Sequence, residues 1–126
     1  MHDTPKRNTA TIAVVDDDDE SVRTALEGLL RSSGYQVQTY RNALAFLDAN
    51  TLAETHCLIS DIQMPGMSGV QLHEKLNAMG FQIPTIFITA YPHLGADTPG
   101  LVACLPKPCE AGRLLGCIET AVLQRH

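Results

Sequence analysis

Cys57-Leu58-Ile59-Ser60-Asp61-Ile62-Gln63-Met64-Pro65-Gly66 decides how the chain is read. An apolar run climbs to a lone carboxylate and stops. The residues beyond it, Met64-Pro65-Gly66 and Ser68-Gly69, turn a chain rather than extend it. Asp61 therefore stands where a strand gives way to a loop, the place where an open α/β sheet keeps its chemistry. Its carboxylate reads as a nucleophile, and the neighbouring segments are weighed by whether they supply what such a nucleophile needs.

Working outward, Thr11-Ile12-Ala13-Val14-Val15 is a β-rich run with little polar alternation, as expected of a strand covered on both faces. It ends in Asp16-Asp17-Asp18-Asp19-Glu20. Val22, Ala25, Leu26, Leu29 and Leu30 then recur at helical spacing until Gly34. Tyr35–Tyr40 reads as a second strand, and Asn42 caps a helix carrying Ala43, Phe46 and Leu47. Past the Asp61 turn, Ser68 caps a helix with Leu72, Leu76 and Met79 on one face, closed by Gly80. Pro84–Ile88 is a fourth strand ending at Thr89-Ala90. Val102–Leu105 is a fifth, broken by Pro106-Lys107-Pro108. Residues 91–101, with Pro92, Gly95, Pro99 and Gly100, leave room for little more than a turn of helix. Leu114, Leu115, Ile118, Ala121 and Val122 mark a final helix. Strands alternating with helices imply a parallel sheet wrapped on both faces by right-handed crossovers. Five strands in this alternation fit the flavodoxin-like doubly wound order 2-1-3-4-5, with the crevice at the ends of strands 1 and 3.

The totals set limits. The 126 residues, 44% hydrophobic and 18% charged, suit one domain over 11–126 behind a loose polar leader over 1–10. A net charge of -5 argues against nucleic acid or an anionic membrane as direct partner. No apolar stretch approaches the roughly 20 residues of a spanning helix, and the first residues are no secretory signal. Cys57, Cys104, Cys109 and Cys117 form no C-x-x-C pair and read as small buried hydrophobes in a reducing cytoplasm.

At the strand ends stand Asp16, Asp17 and Asp18, then Asp61, Thr89 and Lys107. Carboxylates gathered in one crevice repel, so a positive partner is expected, and a hard, oxygen-preferring Mg²⁺ suits them. Asp61 could then attack phosphorus without forcing anion against anion, with Lys107 neutralising the phosphoryl oxygens. The Thr89 hydroxyl and the Ala90 amide are the donors for a phosphoryl group carried on Asp61. Each residue has a duller reading: a solvated first turn, a turn opener, a β-branched strand residue, a surface charge. It is the joint pattern at four strand ends that is specific.

Val14-Val15-Asp16-Asp17-Asp18, Ser60-Asp61-Ile62-Gln63-Met64-Pro65-Gly66, Ile88-Thr89-Ala90 and Lys107-Pro108 resemble the receiver domain of two-component response regulators, from about Thr11 to the end. The nearest subgroup is the nitrogen-fixation and nitrate regulator type, which often precedes a helix-turn-helix output domain. The resemblance implies a cytoplasmic phosphoprotein in a phosphorelay, a signalling domain that assists its own phosphorylation and dephosphorylation rather than an enzyme. It implies that Asp61 takes a phosphoryl group from a sensor histidine kinase, and that the acidic cluster, Asp61 and the backbone carbonyl of Gln63 hold Mg²⁺. Thr89 then matches the switch hydroxyl, Lys107 the lysine that pairs with the phosphoryl group, and Pro108 the proline that follows it. A homodimer through the last helices, and an output domain outside this chain, stay open.

Three departures from the family pattern stand out. The acidic stretch is one residue longer, so the pair is Asp16 and Asp17 if aligned by the strand, Asp17 and Asp18 if aligned by the helix. Thr89 and Lys107 are 18 positions apart, about one helical turn fewer than the family has, which predicts a shortened or irregular fourth helix. Cys104 replaces the switch aromatic and Cys109 the Phe after Lys-Pro. The acceptor reads as intact and the reporting face as altered, so output is expected through the 91–101 loop or through a partner at that face. The alternatives are a receiver that binds partners without phosphorylation and a flavin-type cofactor domain. The latter would want Ser, Thr or Gly where this chain has aspartates.

Overall fold

The computed structural model describes residues 10–16, 20–92, 97–107 and 109–124. Five strands, β1 (Thr11–Val15), β2 (Gln36–Tyr40), β3 (Cys57–Ser60), β4 (Thr85–Thr89) and β5 (Leu101–Pro106), pair in parallel in the order β2-β1-β3-β4-β5. Helices α1 (Glu20–Ser32), α2 (Ala43–Leu47), α3 (Gly69–Ala78) and α4 (Ala111–Gln124) are the α-helices among the described residues, and a 3₁₀ turn covers Leu52–Glu54. The flavodoxin-like expectation holds.

The two-residue period of the strands splits the core in two. Ile12, Val14, Cys57, Ile59, Ile86 and Ile88 pack on Leu30 of α1 and on Leu114, Ile118 and Ala121 of α4. Ala13, Val15 and Leu58 face the other way, against Ala43 and Phe46 of α2 and Leu72 and Leu76 of α3. Both faces of β1 and β3 are therefore apolar, which is why neither strand alternates. Two residues assigned to helix faces prove exposed: Ala25 on α1, and Met79, which caps α3 at its end. In α1 Leu30 alone is fully buried, since the helix lies over β1 and the edge strand β2 rather than over the sheet centre.

Local chemistry sets the boundaries. Asn42 accepts the Ala45 N–H at 2.7 Å, and Ser68 and Gln71 form a reciprocal capping box. α1 and α3 stop where the sequence places Gly34 and Gly80, each at positive φ. Strand β2 starts at Gln36 rather than Tyr35 because the Tyr35 N–H is committed to the Leu30 carbonyl that ends α1. Pro106 does not break β5 but stays in register with Thr89. β5 lies at the sheet edge, where a missing N–H costs no ladder bond.

All four cysteines are free thiols. Burial, and then the neighbouring Cys117, push the Cys57 thiol far above its ordinary range, and desolvation raises Cys109 as well. Neither is poised as a thiolate. Only Cys57 is the buried hydrophobe expected of all four; Cys104, Cys109 and Cys117 are partly exposed, because they sit on the edge strand β5, just before α4 and on its flank. Among the described residues no helix is long and apolar enough to cross a membrane.

Candidate functional site

Asp16 follows β1, Asp61 follows β3, Thr89 ends β4 and Lys107 follows β5, so the fold brings four predicted residues to one edge of the sheet. The strand ladder carries both aspartates into place: the Asp61 N–H donates to Val15 O and the Asp16 N–H to Tyr40 O, each at 3.1 Å. Both residues are buried, at 3% and 4% exposure. Lys107 Nζ lies 2.9 Å from Asp61 Oδ2 and 3.1 Å from Asp16 Oδ2. One ammonium thus holds two carboxylates together. The other oxygen of Asp61, Oδ1, accepts the Ile62 N–H at 2.7 Å, which fixes the orientation of the carboxylate.

Thr89 is buried and its carbonyl accepts the Lys107 N–H at 2.9 Å, clamping the ends of β4 and β5 side by side. Its hydroxyl accepts the Tyr91 N–H at 3.1 Å and makes no hydrogen bond to Asp61. Ala90 follows, exposed. Asp17, Asp18 and Pro108 lie outside the described residues. Cys104, at the switch-aromatic position, donates its thiol to Pro92 O at 3.0 Å, tying β5 to the segment after β4. No α-helix lies between β4 and β5 among the described residues.

Among the described residues two buried carboxylates share one ammonium, which leaves an excess of negative charge. Hard oxygen donors in that state suit Mg²⁺. Among the described residues no third acidic, histidine or thiol group joins them, but the Gln63 carbonyl accepts no hydrogen bond there. Removing Lys107 leaves the carboxylates facing each other. A fully buried partner lost in this way costs about 3–5 kcal/mol. With Lys107 one-fifth exposed, Lys107→Ala is expected to cost about 2 kcal/mol, or about 8 °C in Tm. Millimolar Mg²⁺ should recover part of the loss, read by thermal melts with and without the ion.

The sequence reading has Gly69 only as a turn residue and missed its close approach to Asp61. A Cβ there would lie 2.2 Å from the Asp61 carbonyl oxygen, so α3 can approach the site only with glycine at its first position. It also passed over Arg23, which donates to the Asp16 carbonyl, and Arg41. The signal for both was their position flanking the acidic run and the second strand's end.

A parallel 2-1-3-4-5 sheet with a lysine-bridged carboxylate pair at its carboxyl edge defines a flavodoxin-like α/β domain whose chemistry belongs at that edge. The family model described as "Response regulator receiver domain" matches residues 12–119, and the chain belongs to that family of two-component signalling domains. It is 36% identical over 116 residues to the transcriptional regulatory protein FixJ of Bradyrhizobium diazoefficiens, covering 86% of this chain and 55% of FixJ. Response regulator StyR matches at 41% identity and a TM-score of 0.81, over 93% of this chain and 61% of that one. TrrA of Thermotoga maritima, solved in complex with Mg²⁺-BeF, matches at 25% identity and a TM-score of 0.80, over 90% and 99%. The chain spans about half the length of the curated relatives it matches. The resemblance to nitrogen-fixation regulators is borne out.

Proposed function

We propose that the chain is a cytoplasmic phosphoacceptor module, receiving a phosphoryl group on Asp61 from the phosphohistidine of a sensor histidine kinase. The carrying observation is the Lys107 bridge to Asp61, which sets a cation against a buried carboxylate and, with the Ile62 N–H, orients it at the carboxyl edge of the sheet. An Asp61 oxygen attacks phosphorus, the P–N bond breaks, and the imidazole leaves with the electron pair. Lys107 then exchanges its carboxylate contacts for the new phosphoryl oxygens. The Thr89 hydroxyl gives up its Tyr91 contact to donate to the phosphoryl group, and the Ala90 amide supplies a second donor. Asp16, Asp17 and Asp18, with Asp61 and the Gln63 carbonyl, are the residues for Mg²⁺. The ion supplies charge neutralisation between the acceptor and the incoming phosphoryl oxygens. That TrrA was solved with Mg²⁺-BeF supports the assignment by analogy.

The added charge of about -1.5 to -2 draws Thr89 toward the site and releases the Tyr91 N–H, biasing the segment that begins there. Because Cys104 holds that segment through Pro92, the response travels through the β4–β5 connection rather than through an aromatic side chain. The change is of the kind an output domain would read, and the matched relatives are about twice the length this chain covers. Intact-mass analysis after incubation with acetyl phosphate tests the proposal. Gain of one phosphoryl group only when Mg²⁺ is present is expected. No gain by a folded sample, beside a control receiver that labels, leaves a module that binds partners without phosphorylation.

A further inference from the structure

Beside the crevice lies a cleft of about 290 Å³ lined by Arg23, Arg41, Asn42 and Pro65. Its side-chain chemistry is one-sided. Arg23 and Arg41 carry only donors, and the Asn42 oxygen is already used in capping α2, which leaves its NH₂ group. Pro65 offers no side-chain polar group, so nothing on these four side chains competes for a cation. Among the described residues Arg41 makes no hydrogen bond or ion pair, and Arg23 spends one N–H on the Asp16 carbonyl. On the other side of the arginines lie Glu20 and Glu27, but Glu27 is paired with Arg31 at 2.9 Å.

The cleft adjoins the acceptor through its own residues. Arg23 is anchored on Asp16, which shares Lys107 with Asp61, and Pro65 is in the loop that leaves Asp61. A phosphoryl donor is a dianion, and it must reach a crevice of carboxylates on a chain whose net charge is -5. Two guanidiniums beside the crevice put positive charge next to its carboxylates, and planar forks of donors match phosphate oxygens.

We infer that Arg23 and Arg41 form an anion subsite that captures the phosphoryl dianion of the donor before transfer to Asp61. The inference rests on Asp61 being the acceptor. With acetyl phosphate, the P–O bond to the acyl group breaks, the Asp61–P bond forms, and acetate leaves with the electrons. With a phosphohistidine the leaving group is imidazole, and the same phosphoryl oxygens are held.

Arg41 is the clean test, since among the described residues it makes no hydrogen bond or ion pair. Arg41→Gln is expected to lower the second-order labelling rate about tenfold, the low end of electrostatic steering, and to flatten its fall with added salt. Arg41→Lys, which keeps the charge and loses the fork, should retain the salt dependence and only part of the rate. Acetyl phosphate and phosphoimidazole, run as parallel donors, separate the sources: a loss with both means the shared phosphate is recognised, and a loss with one assigns the subsite to that donor class. Rates and salt slopes equal to wild type with both donors overturn the subsite. If wild type itself takes no phosphoryl group, the acceptor assignment has failed. The cleft is then read by NMR titration of the arginine side-chain N–H signals with inorganic phosphate. Saturable shifts lost in Arg41→Gln support the subsite, and their absence in wild type rejects it.

Discussion

Asp61→Asn is expected to take up no phosphoryl group from acetyl phosphate, a loss of at least about a thousandfold, while its Tm stays within a few degrees of wild type. The geometry separates the two effects. Asn keeps an oxygen where Asp61 Oδ1 accepts the Ile62 N–H at 2.7 Å, so the turn after β3 remains pinned. Lys107 loses its 2.9 Å partner but retains Asp16 at 3.1 Å, and the crowding of two buried carboxylates is relieved. The chemistry has no such reserve, because an amide nitrogen is delocalised and a poor nucleophile, and the acceptor is the reacting group itself. Asp16→Asn forms the comparison. It should still label, at a higher Mg²⁺ requirement, because it removes a neighbouring carboxylate and leaves the acceptor. Labelling of Asp61→Asn at the wild-type rate would place the acceptor on another residue.

The sequence carries the fold wherever the pattern is set by burial. β1 and β3 are covered on both faces, so they appear as unbroken apolar runs, and their ends mark where Asp16 and Asp61 emerge. Lys107 meets Asp61 across 46 positions because parallel strands deliver their carboxyl ends to one edge whatever the connections do. Contacts without a period were not legible. His73 looked like any helix residue, yet it is buried, hydrogen-bonded to Thr85 at 3.0 Å and to the Pro99 carbonyl at 2.8 Å. Apolar periodicity says nothing of a polar ring that bridges a helix, a strand start and the turn before β5. Ala25 and Met79 failed for the opposite reason: the period placed them on an apolar face, but a short residue and a helix end need no cover.

The site's second illegible feature carries the largest expected effect on stability. Gly69 was readable only as a turn residue, yet it is the first residue of α3, and its N–H donates to the Ile62 carbonyl at 2.8 Å. A methyl group at that position would stand 2.2 Å from the Asp61 carbonyl oxygen and 3.1 Å from both its carbonyl carbon and the Ile62 Cα. All three are backbone atoms, so no side chain can swing away. The Asp61 oxygen also accepts the Ser60 hydroxyl at 2.8 Å, which resists a shift of that peptide. Forcing the helix off the loop costs packing as well as the bond, and Gly69→Ala is expected to lose about 3 kcal/mol, roughly 11 °C in Tm. Labelling should slow too, because the displaced peptide is the acceptor's own. Gly116→Ala, in α4, has open space around the added carbon. There the ordinary helical preference for alanine acts alone, and a gain of about 0.5–1 kcal/mol is expected. Opposite signs for the same substitution in two helices would tie the loss to the Asp61 contact. A Gly69→Ala melt no lower than wild type would show that the β3–α3 turn yields, and that the position of Asp61 is set by the strand alone.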